Sequence, residues 1–385
     1  MFKFIALSVA SCIIIPSVQS AEWSVIGTLN PSIEYDDNVF MAENETSSYR
    51  TLVSPTAILS REQDNNNVSL SLGYVIDRYA SISDLDRQDP FVRFNSGFQT
   101  ERSNLGLAAS YMEGSSRDTA EVDTGDFTTN STVTTKKIAP SYSYQLTERD
   151  NLSISGSYTE RAFSTTDFND TELLSLNTGW THQFSERFNG GLNLTVSNFE
   201  STGSTFTSDD DNYNLSSSIR YDYSELWNIG GNVGIRKLNS KQTDNLGVTD
   251  SNSSSGLSLD INASRTTELD TMSFGISRAV LPSNTGDVNE TDRISFSWSR
   301  KITETISTSF NSSYQQTTSA IEENNQEREN LNISPAINWQ FERNLGLNLA
   351  YKYRQQKESE LSTNVSSNSL SLTLNYDWDG LRASR

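Results

Sequence analysis

The chain has 385 residues, a formal net charge of −20 and a hydrophobic share of only 34%. Even with its 20 glycines added, it falls short of the roughly 45–50% apolar content of globular domains, which excludes a large oil-rich core. The acidic balance excludes a general nucleic-acid binder, and no run approaches the ~18 apolar residues of a membrane-crossing helix.

Lys3, the apolar run Phe4 to Ile15 and the polar exit Pro16-Ser-Val-Gln-Ser20 predict a secretory signal peptide over residues 1–20, cut after Ser20 or Ala21. Val9-Ala10-Ser11-Cys12 also resembles a lipobox, which would place a lipid on Cys12. The short apolar stretch before Cys12 and the Ile13-Ile-Ile15 run after it weigh against that reading. Cys12 is the only cysteine, so the mature chain, residues 21–385, is expected to hold no disulfide.

From Trp23 onward, apolar and polar residues alternate with period two. Val68, Leu70, Leu72, Tyr74 and Ile76 form one such stripe. Leu192, Leu194 and Val196 form another, and Leu331, Ile333, Pro335, Ile337, Trp339 and Phe341 a third. The last runs through Leu370, Leu372, Leu374, Tyr376 and Trp378. Period two places successive side chains on opposite faces of a strand. Runs of about 9–13 residues are long for an ordinary strand and match a tilted strand crossing a bilayer.

Short connections share a signature: Thr100-Glu-Arg-Ser-Asn104, Thr147-Glu-Arg-Asp-Asn151, Ser185-Glu-Arg-Phe-Asn189, Ser224-Glu-Leu-Trp-Asn228 and Phe341-Glu-Arg-Asn344. Thr267-Glu-Leu-Asp270, Thr303-Glu-Thr305 and Arg61-Glu-Gln-Asp64 are weaker relatives. Long acidic, Ser/Thr/Asn-rich connections alternate with them, near 36–48, 80–90, 114–131, 162–171, 200–212, 238–254, 281–291, 317–329 and 356–367. The repeat unit is therefore a hairpin. The pattern predicts an all-β fold: a closed antiparallel transmembrane β-barrel of about 18 strands, or 16, with short periplasmic turns and long acidic external loops. It belongs in the outer membrane of a Gram-negative-type bacterium. A water-soluble sandwich or a secreted adhesin would also alternate, but with shorter strands and no systematic long/short loops. Trp180, Phe184, Trp298, Trp339, Phe341 and Trp378 fall near the short-turn ends. Tyr74, Tyr111, Tyr158, Tyr314 and Tyr351 fall near the long-loop ends, which matches two interfacial girdles. Pro31, Pro55, Pro140 and Pro335 interrupt apolar stripes, and each is expected to seat a local bulge.

Asn30-Pro-Ser-Ile-Glu-Tyr-Asp-Asp-Asn-Val-Phe40, Ser54-Pro-Thr-Ala-Ile-Leu59 and the ending Leu374-Asn-Tyr-Asp-Trp378 resemble a β-barrel porin family. Its members include outer-membrane proteins encoded with exopolysaccharide biosynthesis genes. The likeness covers the mature chain as architecture and is most specific over residues 30–59 and the last strand. Trp378 is followed by Asp379 to Arg385, whereas many such barrels end on an aromatic residue. The resemblance carries no catalytic residues.

By alternation, Arg93, Lys137, Arg161, Arg220, Arg236, Arg293, Lys352 and Arg354 point into the lumen, with fewer acids (Glu34, Asp77, Asp222, Asp260 and Asp377). One reading is a hydrated wall of local ion pairs; the sharper one is a mildly cationic pore wall favouring anionic solutes or an acidic glycan. No nucleophile elbow, phosphate loop or metal-ligand cluster is present, so no cofactor and no enzyme activity are expected. His182, the only histidine, falls on the lipid-facing stripe. Expected partners are outer-membrane lipid, the barrel assembly machinery, and an anionic glycan or small hydrophilic solutes, with no nucleic acid. The expected function is passage or export of hydrophilic material such as exopolysaccharide. The alternatives are a general diffusion porin and a structural or adhesive barrel with a plugged lumen.

Overall fold

A computed structural model describes residues 22–321, 327–359 and 363–384. The predicted signal peptide, with Cys12, lies outside the described residues. Strands follow one another: β1 (Glu22–Asp36), β2 (Ser48–Gln63), β3 (Asn66–Tyr79), β4 (Arg87–Gln99), β5 (Ser103–Ser115) and β6 (Thr132–Gln145). Next come β7 (Asp150–Phe163), β8 (Asp170–Ser185), β9 (Phe188–Thr202), β10 (Phe206–Asp222), β11 (Trp227–Asp244) and β12 (Thr249–Thr266). The last are β13 (Asp270–Pro282), β14 (Val288–Lys301), β15 (Ile306–Ser319), β16 (Arg328–Glu342), β17 (Leu345–Glu358) and β18 (Thr363–Ser384). Each pairs antiparallel with its sequence neighbours, and β1 also pairs with β18. The result is a closed 18-stranded barrel of the outer-membrane type.

The alternation explains the closure. The apolar stripes face outward: Leu72, Tyr74, Leu194, Ile337, Leu370 and Leu372 are all exposed. In water that surface would be a liability; in hydrocarbon it is the correct solvent. Above Tyr158 the outward face of β7–β10 turns acidic, with Glu160 opposite Glu172, Glu172 opposite Glu200, and Glu200 opposite Asp209. Charge at bilayer depth is costly, so this row marks where the wall leaves the membrane.

The short turns account for the repeated signature. Thr100, Thr147, Ser224, Thr267 and Thr303 each use the side-chain hydroxyl to accept the backbone N–H three residues on, at 2.8–3.1 Å. That closes the turn without a partner strand. Asp150 and Asp270 then each accept a hydrogen bond at 3.2 Å from the indole of an outward tryptophan, Trp180 and Trp298. His182 Nδ1 lies 2.8 Å from the same Asp150 carboxylate. The turn thus anchors the lower aromatic belt.

Two expectations are corrected. First, the in-strand prolines seat no bulges. At Pro55 the β2–β3 ladder runs Val53↔Ile76 and then Thr56↔Gly73, with the register unchanged across the gap. Pro31 (β1–β18), Pro140 (β6–β7) and Pro335 (β16–β17) do the same. Each proline stays in register with its other neighbour, opposite Val53, Leu29, Leu107 and Phe310. The missing N–H costs one rung on one side only. Second, much of the expected long loops 200–212, 238–254 and 281–291 is paired strand. Above the membrane both faces are wet, so Ser, Thr, Asn and Asp extend the ladder without an apolar stripe to betray it.

A true bulge sits at the closing seam. Val25 pairs with Leu381 and Gly27 with Trp378, so Asp379 and Gly380 oppose one residue. Gly380 has φ +69°, and a Cβ there would lie 1.6 Å from the Val25 carbonyl oxygen. Only glycine fits. The strand continues past Trp378 because this bulge re-aims it along Glu22–Val25.

An arginine at mid-wall separates the two faces. Leu194→Arg is expected to lose about 2–4 kcal/mol of unfolding free energy in lipid vesicles. Thr195→Arg, one residue on and facing the lumen, should lose far less. Urea titration of the folded, heat-modifiable gel band measures both.

Candidate functional site

Among the described residues, two inserts cross the lumen. The first is the upper part of the β13–β14 hairpin. β12 and β13 pair only from Thr266↔Thr271 up to Leu259↔Arg278. Above that point the β13–β14 hairpin folds inward. Its outward-numbered side chains then meet the inner face of the neighbouring wall, β8–β11. Val288 packs with Phe199 of β9, Leu238 of β11 and Ala320, all buried, and Val280 joins them beside Leu173 of β8. Arg236 of β11 is buried and hydrogen-bonds Glu290 of β14. The tip docks further round. Asn169 N–H donates to the Asn284 carbonyl at 2.9 Å, and Asn169 Nδ2 to the Thr285 carbonyl at 3.0 Å. Gly286 has φ +91°, and a Cβ would fall 2.4 Å from the Asn169 amide, so glycine is what lets the tip seat.

The second insert is the connection between β5 and β6, residues 116–131. It crosses to the inner face of β16–β18. Asn330 Nδ2 donates to the Glu121 carbonyl at 3.0 Å and Gln356 Nε2 to the Gly125 carbonyl at 3.0 Å. Lys352 Nζ lies 3.5 Å from the Glu121 carboxylate. Met41, Ala120, Phe127 and Val365 form a small buried cluster beneath it.

The inserts meet at Asp123. Its Oδ1 accepts from Ser283 Oγ at 2.8 Å and from the Asn284 backbone N–H at 3.0 Å. Its Oδ2 is buried without a hydrogen-bond partner, with Arg161 of β7 at 3.9 Å. Arg161 also donates to Asn284 Oδ1 at 3.2 Å, and Arg328 of β16 donates to the Asp123 carbonyl. Burial pushes the Asp123 pKa up, against the opposing pull of the Asn284 and Ser283 hydrogen bonds and the Arg161 and Arg328 charges.

Beside this junction lies a chamber of about 330 Å³ between β1–β4, β17 and the second insert. Arg50, Arg87, Arg117, Lys352 and Arg354 line it, with Glu34, Asp36, Asp118 and Glu121. Most of these charges are paired. Arg50 grips the fully buried Asp77 through Nε and Nη2 (2.9 and 2.6 Å), and Arg87 reaches Asp89 at 3.0 Å and Asp118 at 2.6 Å. Arg354 binds Asp36 at 2.6 Å. Arg117 is the exception, with no carboxylate partner among the described residues. It donates to the Val39 and Phe127 carbonyls at 2.6 and 2.7 Å and lies over the Phe40 ring. Burial, with Arg50 and Arg354 nearby, pushes its pKa down. A second chamber of about 550 Å³ lies between the hairpin and the β8–β12 wall.

The eight predicted lumen cations do not form one ring. Lys352 and Arg354 line the first chamber and Arg236 the second, while Arg161 touches the junction. Arg93 sits over the Phe91 ring and reaches Met112 Sδ at 3.4 Å. Lys137 faces Ser110 and Thr159, Arg220 faces Asn189 and Gly230, and Arg293 faces Gln315 and Ser277. Arg93, Lys137, Arg220 and Arg293 have no ion pair among the described residues. Among the residues of the site that escaped the sequence reading are Arg50, Arg87, Arg117 and Asp123. Arg50 alternates with Pro55 and was readable by parity. Arg87, Arg117 and Asp123 lie in stretches expected to be loops, where no periodicity tells inside from outside.

No family model and no curated protein matches the sequence. Among solved structures, the ferric citrate transporter FecA in its unliganded form superposes with a TM-score of 0.54 at 8% identity, covering 91% of this chain and 78% of that one. The FrpB iron transporter from Neisseria meningitidis, as the F5-1 variant apoprotein, gives 0.53 at 9% identity, covering 92% and 81%. The likeness is one of fold, a closed antiparallel barrel.

The Asp123 carboxyl carries a pH dependence. Its pKa in the docked state lies above that of a solvated aspartate, about 3.9. Docking is therefore favoured where the carboxyl is protonated, and that contribution is lost as pH rises through the raised value. Protection of the Asn284 amide against hydrogen exchange, corrected for intrinsic rate, is expected to be greater near about pH 4 than near about pH 7. Asp123→Asn should flatten the difference; an unchanged slope would refute the assignment.

Proposed function

We propose that the chain is an outer-membrane pore that passes small hydrophilic solutes and prefers anions. The observation that carries the reading is a closed wall whose interior is polar yet narrowed by two docked inserts, with chambers on either side of their junction. A plug with only a structural role would have no need of unpaired charge on the open wall. Here Arg93, Lys137, Arg220 and Arg293 stand without ion pairs among the described residues, as do the inward acids Asp210, Asp222, Asp260 and Asp377. Lys137 and Arg293 face only neutral neighbours, Ser110, Thr159, Gln315 and Ser277, and such unpaired cations raise the local concentration of anions in a low-dielectric channel. Two similar solved structures are described as a ferric citrate transporter and an iron transporter, which supports transport as the class of function.

Passage or export of an exopolysaccharide, implied by the family resemblance, is the finer form of the same reading. An extended glycan would have to thread past both docked inserts and through the contacts that join them at Asp123. Small solutes make no such demand.

Reversal potentials in planar bilayers test the charge preference. Wild-type protein is expected to pass chloride more readily than potassium. Lys137→Ala combined with Arg293→Ala should move the permeability ratio toward unity without loss of the folded band. Cation preference that the double variant leaves unaltered would overturn the anionic reading.

A further inference from the structure

We propose that the β13–β14 hairpin has two seats: the one inside the lumen, and the vacant upper edge of β12. The second seat is written into the register. β12 runs from Thr249 to Ser258 above its last pair with β13, and along that stretch it pairs with β11 alone. An open strand edge carries a row of unfilled backbone donors and acceptors. β13 likewise continues as strand from Ala279 to Pro282 while paired only with β14.

Continuing the observed register past Leu259↔Arg278 sets Ser258 opposite Ala279, Leu257 opposite Val280, and Gly256 opposite Leu281. The chemistry of those pairs matches. Leu257 points outward and is 60% exposed as the structure stands. Val280 is the side chain that would come beside it, on the same outer face. Ser258 and Ala279 would both face the lumen, small against small. Gly256 sets no side chain against Leu281, itself 45% exposed in the inward seat; the Arg236 guanidinium that now lies over Gly256 is released when its partner Glu290 leaves with the hairpin. Pro282 reaches Ser255, where its missing N–H ends the ladder.

The inward seat is held by few contacts: the Phe199–Leu238–Val288–Ala320 cluster, the Arg236–Glu290 pair, the Asn169 bonds and the Asp123 junction. The junction is the weak member, since one carboxylate oxygen there is buried and unbonded. An element with two competing packings is what a switch needs. That movement to β12 opens the lumen rests on the pore reading above; the two seats do not.

Cysteine pairs test the seats, since the only natural cysteine is Cys12. In the folded, membrane-inserted protein, Leu257→Cys with Val280→Cys should form a disulfide under mild oxidant. Asp123→Cys with Ser283→Cys should form one in the inward seat. Each bond is read by gel shift of the heat-modifiable band and by mass of the linked peptides. Oxidation of the first pair is expected to raise single-channel conductance severalfold and of the second to lower it, both reversed by reductant. If the Leu257/Val280 bond never forms in folded barrels while the Asp123/Ser283 bond does, the two-seat inference falls. If both bonds form and no variant conducts in either state, the seats stand and the pore reading falls.

Discussion

A bilayer offers no hydrogen-bond partner to a peptide group. Every N–H and C=O that enters hydrocarbon must be met within the chain, and for strands the only complete solution is a ring. The β1–β18 pairing is therefore the contact on which the rest depends. Strand length, outward alternation and the aromatic belts follow from placing that ring across a membrane. So does the odd composition: the greasy surface is spent on lipid and little is left for an interior.

A wet interior has its own consequence. Inside a soluble protein, a polar loop would have to be expelled to water. Inside this ring it can stay, because the lumen face already presents Ser, Thr, Asn and Arg. The 116–131 connection and the β13–β14 hairpin both use this freedom, and each secures itself with a core of a few side chains rather than a large one. They touch through Asp123, a buried carboxylate that is only half satisfied. The barrel wall supplies rigidity; the contacts that can change are confined to these guests.

The wall was legible in the sequence and the guests were not, for one physical reason. The wall obeys a period imposed by two solvents, so Leu370, Leu372 and Leu374 announce their face and Arg354 and Lys352 announce the other. The strand count, the turn signature at Thr147 and Thr267, and the belts at Trp180 and Trp298 followed from it. Above the membrane, water is on both sides and the period vanishes, so Asp209 to Asp211 read as loop although they pair as strand. Arg117 and Asp123 are positioned by a path through the lumen that no periodicity encodes. The prolines misled in a different way. A missing donor can be absorbed by a bulge or by a skipped rung, and the sequence looks the same in both cases.

Those skipped rungs are unevenly spread around the circumference. Three of the four, at Pro335, Pro31 and Pro55, occupy the alternate seams β16–β17, β18–β1 and β2–β3, each separated by an unbroken seam. The fourth stands apart at β6–β7. Resistance to sliding between strands comes from their rungs, so the arc from β16 to β3 is the compliant side of the cylinder. The arc from β8 to β11, which carries the hairpin, has an unbroken ladder apart from a register shift at Gln183–Ser185 beside the β8–β9 turn, and is stiffer. Squeezed by lipid, such a tube would turn oval by yielding on one side only, and the 116–131 connection lies against the side that gives.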